Sequence, residues 1–139
     1  MGTPARAFMT RTIPFWTYLP EYTRNKSTIL SLLDQVLAKG TLILGENVDK
    51  FEKKFASYCN VKYGIAVGNG TDALFLSLKT IGVEQGDEVI TVPNTAIPTV
   101  SAIIATGAKP VFVDTEMGSM LMNPSKIEPA ITKRTKCIL

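Results

Sequence analysis

Beyond residue 62 the chain alternates short apolar runs with helix-patterned stretches, and no other feature of its 139 residues restricts the fold as much. Tyr63 to Val67 reads as a buried strand, which Gly68-Asn69-Gly70 hands to a helix expected over about Thr71 to Ile81. Gly82 stops that helix, Gly86-Asp87 turns the chain, and Glu88 to Val92 supplies the next strand. A proline-containing turn leads to a helix over about Pro98 to Thr106, which Gly107 ends. Lys109 to Val113 is the third strand and Asp114 to Met122 a loop. Asn123-Pro124 offers an N-cap and a proline at N1 for a short helix, and Lys136 to Leu139 opens a fourth strand. Strands separated by single helices pair in parallel, because each helix carries the chain back along the sheet. The expected class is therefore α/β, with three α/β/α layers around a mostly parallel sheet.

Two helices are expected upstream. Ile29, Leu32, Leu33, Val36 and Leu37 recur at i, i+3, i+4, i+7 and i+8, an amphipathic helix from about Asn25 to Lys39 that Gly40 stops. From about Glu46 to Tyr58, Val48, Phe51, Phe55 and Tyr58 form one stripe, with Lys50, Lys53 and Lys54 outward. Residues 1–20 place Phe15, Trp16 and Tyr18 among Pro4, Pro14 and Pro20, which reads as an irregular arm, a lid or an anchor on another subunit. The expected organisation is an arm over 1–24 and one domain over 25–139. The chain stops at Cys137-Ile138-Leu139, inside an apolar strand, so it is expected to be part of a longer protein.

Composition narrows the chemistry. An apolar content of 45% excludes a disordered tail, and a charged content of 19% suggests that some apolar surface is covered by something else. The net charge of +3 is scattered, and the cluster Lys133, Arg134 and Lys136 reads as a solvated face, so no nucleic-acid partner is expected. With no histidine and only Cys59 and Cys137, zinc or iron sites, Ser-His pairs and Cys-His pairs drop out. An enzyme of this composition works through carboxylates, lysine, tyrosine or a cofactor. No apolar run approaches the roughly 20 residues that span a bilayer. Met1 to Arg11 carries two arginines without the apolar block of a secretory signal, and Arg6 breaks the myristoylation pattern. A cytoplasmic protein is expected.

The segment Val67-Gly68-Asn69-Gly70-Thr71-Asp72-Ala73-Leu74 carries the clearest chemistry. Its glycines let a ligand approach the backbone, and free N–H groups at a helix start favour an anion. Thr71 adds a hydroxyl donor, so phosphate is the natural ligand; the bland alternative is a turn whose glycines serve geometry alone. Gly68-x-Gly70-x-x-Ala73 also matches the dinucleotide fingerprint of nicotinamide-dependent oxidoreductases. That fingerprint wants an acid at the end of the following strand, whereas Glu88 opens that strand and Asn94 follows it.

Five blocks resemble one family. Gly70-Thr71-Asp72-Ala73-Leu74, Gly86-Asp87-Glu88-Val89-Ile90, the run from Gly107 to Asp114, and Ile131-Thr132 with Thr135-Lys136 look like the sugar-nucleotide aminotransferases of the DegT/DnrJ/EryC1/StrS group. Leu44-Gly45-Glu46 with Phe51-Glu52 and Phe55-Ala56 is similar to that family's entry into its large domain. The resemblance implies an aspartate-aminotransferase-type fold, of which this chain would be the N-terminal part of the large domain. It implies pyridoxal 5'-phosphate as cofactor, a homodimer with sites at the interface, and amino transfer, usually from glutamate, to a keto sugar nucleotide. The parent would serve polysaccharide or glycoside synthesis. Gly70 and Thr71 would hold the cofactor phosphate, and Ala96 would lie against the pyridine ring, where most relatives carry an aromatic residue. The lysine that carries the cofactor and the aspartate that pairs with its ring nitrogen would lie downstream of Leu139, so no catalytic residue is expected among the 139. Lys79 and Lys109 read as surface charge, Asp87 as structural, and Asp114 as nearer the site. A non-catalytic binding or regulatory remnant is the remaining alternative.

Overall fold

The structure, a computed structural model, describes residues 13–139; Pro4, Arg6 and the leader reading of Met1 to Arg11 lie outside the described residues. The chain divides into two compact units, with the boundary in the sequence between Tyr63 and Gly64.

In the first unit, residues 13–18 are irregular, and Phe15, Trp16 and Tyr18 are exposed. Helix α1 spans Leu19–Lys39, so it starts ahead of the expected Asn25. Pro20 is the reason. It falls in the first turn, where a missing N–H costs nothing and a fixed φ favours the helix. Gly40 ends α1 at φ 70°, its N–H donating to the Leu37 carbonyl at 3.0 Å. Helix α2 spans Glu46–Tyr58, as its pattern predicts. Glu46 pairs with Lys50, and Lys53 meets Asp49 at 2.7 Å, so the i,i+4 charges lie on the outer face. The apolar stripes find little cover: α1 buries no residue and α2 buries only Ala56. Ile29, Leu32, Leu33 and Val36 instead line an open groove with Lys39 and Asn47.

The second unit holds helix α3 (Gly70–Thr80), strand β1 (Glu88–Thr91), helix α4 (Ile97–Ala105), strand β2 (Lys109–Phe112), helix α5 (Pro124–Ala130) and strand β3 (Thr135–Ile138). The sheet has the order β2-β1-β3, and both pairings are parallel. Every residue of central β1 is buried. Leu78, Val83, Val89, Ile103 and Ala108 form one core cluster, against which Cys137 packs. Asn123 caps α5 by accepting the Ser125 N–H at 3.0 Å, as Asn123-Pro124 suggests.

One expected strand is absent. Residues 63–67 carry no ladder, and Tyr63 and Ile65 stand 71% and 79% exposed. A strand exists only with a neighbour to accept its hydrogen bonds, and the two neighbours of β1 are already β2 and β3. An apolar run specifies willingness to pair and says nothing of the partner.

Candidate functional site

Topology gathers the candidate residues at one edge. Helix α3 ends at Thr80 and a short connection delivers the chain to the amino end of β1, so α3 runs opposite to the strands. Helix α4 leaves the carboxyl end of β1 and returns to the amino end of β2, so it runs the same way as α3. The two helices pack against each other. Both therefore start toward the carboxyl edge of the sheet, Gly70 and Thr71 opening α3 and Ala96 capping α4. The order β2-β1-β3 also reverses direction at β1, and ligands of open parallel sheets bind at such a reversal, outside the carboxyl ends. Asp114, two positions past β2, lies at the same edge. Asp87 does not. Its carboxylate accepts the Glu84 N–H at 3.0 Å, which closes the turn at the opposite edge.

The start of α3 is held by a reciprocal pair that residue patterning missed. The Asn69 side chain accepts the Asp72 N–H at 2.9 Å and donates through its Nδ2 to the Asp72 carboxylate at 3.0 Å. Asn three positions ahead of Asp at a helix start was the available signal. The carboxylate folds over Gly68, where an added Cβ would come within 2.8 Å of Asp72 Oδ2. Gly70 differs: an added Cβ there would meet nothing within 4 Å. A side chain at 68 would thus push the Asp72 carboxylate aside, whereas one at 70 would meet free space. Thr71 is half-buried, and its hydroxyl has no hydrogen-bond partner among the described residues. A small anion fits this arrangement, since open space, unspent helix N–H groups and a free hydroxyl meet at Gly70 and Thr71.

Ala96 adopts extended backbone ahead of α4 and is exposed, with no capping side chain. Beside it the Thr95 and Thr99 hydroxyls bond each other at 3.0 Å. Lys79 is exposed on the last turn of α3, and its Nζ reaches only the Val83 carbonyl, at 3.4 Å. Lys109 opens β2, also exposed. Neither is at the candidate edge. Among the described residues no helix is long and apolar enough to cross a membrane.

The pattern of the DegT/DnrJ/EryC1/StrS aminotransferase family matches residues 23–139. The chain belongs to that family. A dTDP-3-amino-3,4,6-trideoxy-alpha-D-glucose transaminase from Micromonospora megalomicea subsp. nigra is 47% identical over 124 residues, covering 89% of this chain and 33% of the relative. Among solved structures, DesV of S. venezuelae, crystallised with a ketimine intermediate, matches with a TM-score of 0.88 at 35% identity, over 93% of this chain and 35% of that one. NtdA of Bacillus subtilis, solved with bound cofactor PMP, matches with a TM-score of 0.82 at 35% identity, over 93% and 31%. The α/β class with a parallel sheet is that of these aminotransferases. The chain spans about a third of the length of the relatives it matches.

Proposed function

We propose that this family member is the N-terminal segment of an aminotransferase that uses pyridoxal 5'-phosphate to move an amino group onto a keto sugar nucleotide, with glutamate as donor. The observation that carries the proposal is the open start of α3, where Gly70 leaves space and Thr71 a free hydroxyl in a family whose members are aminotransferases. When bound, the cofactor supplies the electron sink that lets an amine and a ketone exchange. The chain's own residues hold it. Gly70 offers a backbone N–H without a side chain in the way, and Thr71 donates its hydroxyl to the phosphate. Asn69 and Asp72 keep those donors aimed by closing the turn behind them. Ala96 borders the pyridine ring, replacing a stacking contact by a small apolar one. On this reading the lysine that carries the cofactor and the aspartate facing its ring nitrogen come from sequence beyond these 139 residues, and the working enzyme is a homodimer.

The dinucleotide alternative has less support. Its fingerprint needs a strand ahead of the glycines, and residues 64–67 carry no ladder. Thr71→Val in the full-length protein tests the proposal, since it removes the hydroxyl and keeps the shape. Losing one hydrogen bond to a charged group should weaken cofactor binding about ten- to a hundredfold. An unchanged dissociation constant removes Thr71 from the site.

A further inference from the structure

Far from that edge, at the amino end of β1, a carboxylate lies buried inside the protein. Glu88 is 3% exposed, and its two oxygens are taken separately. Oε2 accepts the Thr132 hydroxyl at 2.6 Å, and Oε1 accepts Arg134 Nη2 at 2.8 Å. The Glu88 N–H donates to the Arg134 carbonyl at 2.8 Å, so backbone and side chain grip the same turn. That turn is closed on itself. Thr132 N–H reaches the Thr135 hydroxyl at 2.8 Å, and Arg134 N–H reaches the Thr132 hydroxyl at 3.1 Å.

Directly after this grip the β1–β3 ladder is irregular. Glu88 pairs with Thr135, but Val89 pairs with Cys137, so Lys136 is the extra residue. The bulge decides what faces the core. Without it Val89 would sit opposite Lys136, and a one-residue slip exchanges the two faces of a strand. With it, Cys137 packs against the core cluster and Lys136 stays exposed. Five residues after the gripped Thr132, the bulge has therefore put a neutral side chain where a lysine would otherwise fall.

We propose that Glu88 is a charge-operated latch on β3: its ionised carboxyl holds the Thr132–Thr135 turn, fixes the bulged register, and releases the strand when the charge is lost. The charged groups facing it are Arg134 from the turn and Lys109 from β2, and its neighbour Asp87 is held by the Glu84 N–H. The Thr132 hydroxyl bond holds the Glu88 carboxyl below its ordinary value of 4.5, against the opposing effect of burial and with help from Arg134. A depressed carboxyl contributes stability that is complete above its unfolded value and is lost as pH falls through the folded one. Acid therefore opens the latch, and neutral pH closes it. Of the unpaired alternatives, a buried carboxylate without partners would be strongly disfavoured, which ties the charge to the closed turn.

Cys137 reports on the latch, because it is half-buried in the bulged register and becomes accessible if β3 slips or lifts. In the full-length protein with Cys137 kept as its one cysteine, Cys59 and any other replaced by serine, the rate of Cys137 modification by dithiodipyridine is measured and divided by the rate in urea at the same pH. Glu88→Gln should speed modification at neutral pH by about tenfold or more, the effect of losing a hydrogen bond to a charged group. It should also abolish the rise in modification that the unsubstituted carboxyl shows on acidification from about pH 7 to about pH 3. Lys109→Gln, which removes a facing charge and no hydrogen bond, should stay within about threefold. Should Glu88→Gln fail to fold, Thr132→Val keeps the carboxyl and must move the acid step to higher pH. A protected Cys137 in Glu88→Gln, an acid step that survives it, or an unmoved step in Thr132→Val would overturn the latch.

Discussion

Gly70→Ala should make the cofactor-free protein more stable and at the same time weaken its hold on the cofactor phosphate. The glycine stands at the first position of α3 with no positive φ to demand it, and a Cβ would meet no atom within 4 Å. Where alanine fits without strain, the substitution restricts the unfolded chain and stabilises by about 0.4–1 kcal/mol. For a protein about three times the length of this chain that is a rise in melting temperature of about 0.5–2 °C. The same methyl would occupy the space through which a phosphate oxygen reaches the α3 N–H groups. Losing one charge-assisted hydrogen bond costs about 1.5–3 kcal/mol, or roughly ten- to a hundredfold in dissociation constant. The two effects have opposite signs, so one variant separates fold from ligand. The measurements are a thermal melt of the cofactor-free full-length protein and a spectroscopic titration with pyridoxal 5'-phosphate. Raised stability with an unchanged dissociation constant would refute the placement of the phosphate at Gly70. Lowered stability would refute the inference that the position is open.

Two further outcomes follow from the same structure. Ile103→Ala removes a fully buried side chain from the cluster with Leu78, Val83, Val89 and Ala108, and urea unfolding should show a loss of about 2–5 kcal/mol; a loss under about 1 kcal/mol would mean the cluster is not the core. The 139-residue chain on its own should show no transaminase turnover and should associate through its exposed apolar faces, which a coupled assay with glutamate and sedimentation check; turnover by a clean monomer would contradict both.

Local signals were legible and long-range ones were not. The bounds of α2 could be read from the stripe of Val48, Phe51, Phe55 and Tyr58 and the outward Lys50, Lys53 and Lys54. The start of α3 was visible at Gly68-Asn69-Gly70 because helix starts are specified by neighbouring residues. Pro20 misled because proline is both a helix breaker and a favoured first-turn residue, and only the following residues decide between the two. The run from Tyr63 to Val67 misled for a different reason, since pairing depends on an edge that is not encoded in the run itself. The Glu88 cluster was out of reach altogether. Thr132 and Arg134 lie more than forty positions from Glu88, and no periodicity links them. Ala96 was a candidate by likeness to the family alone, and its place toward the carboxyl edge of the sheet, beside the start of α3, emerged only from the topology.

Because α3 and α4 pack together and run in one direction, like partial charges lie near each other at their ends, about half a positive charge at each starting end. Helix α3 answers its own end with Asp72 in the first turn, whereas α4 has no acid there. The packing of the two helices thus holds two like-charged ends near each other. An anion placed at that edge would offset the partial charges of both ends at once. Its binding should therefore register as cohesion of the helix pair, in slower amide exchange along both helices, and extend well beyond the few atoms it touches.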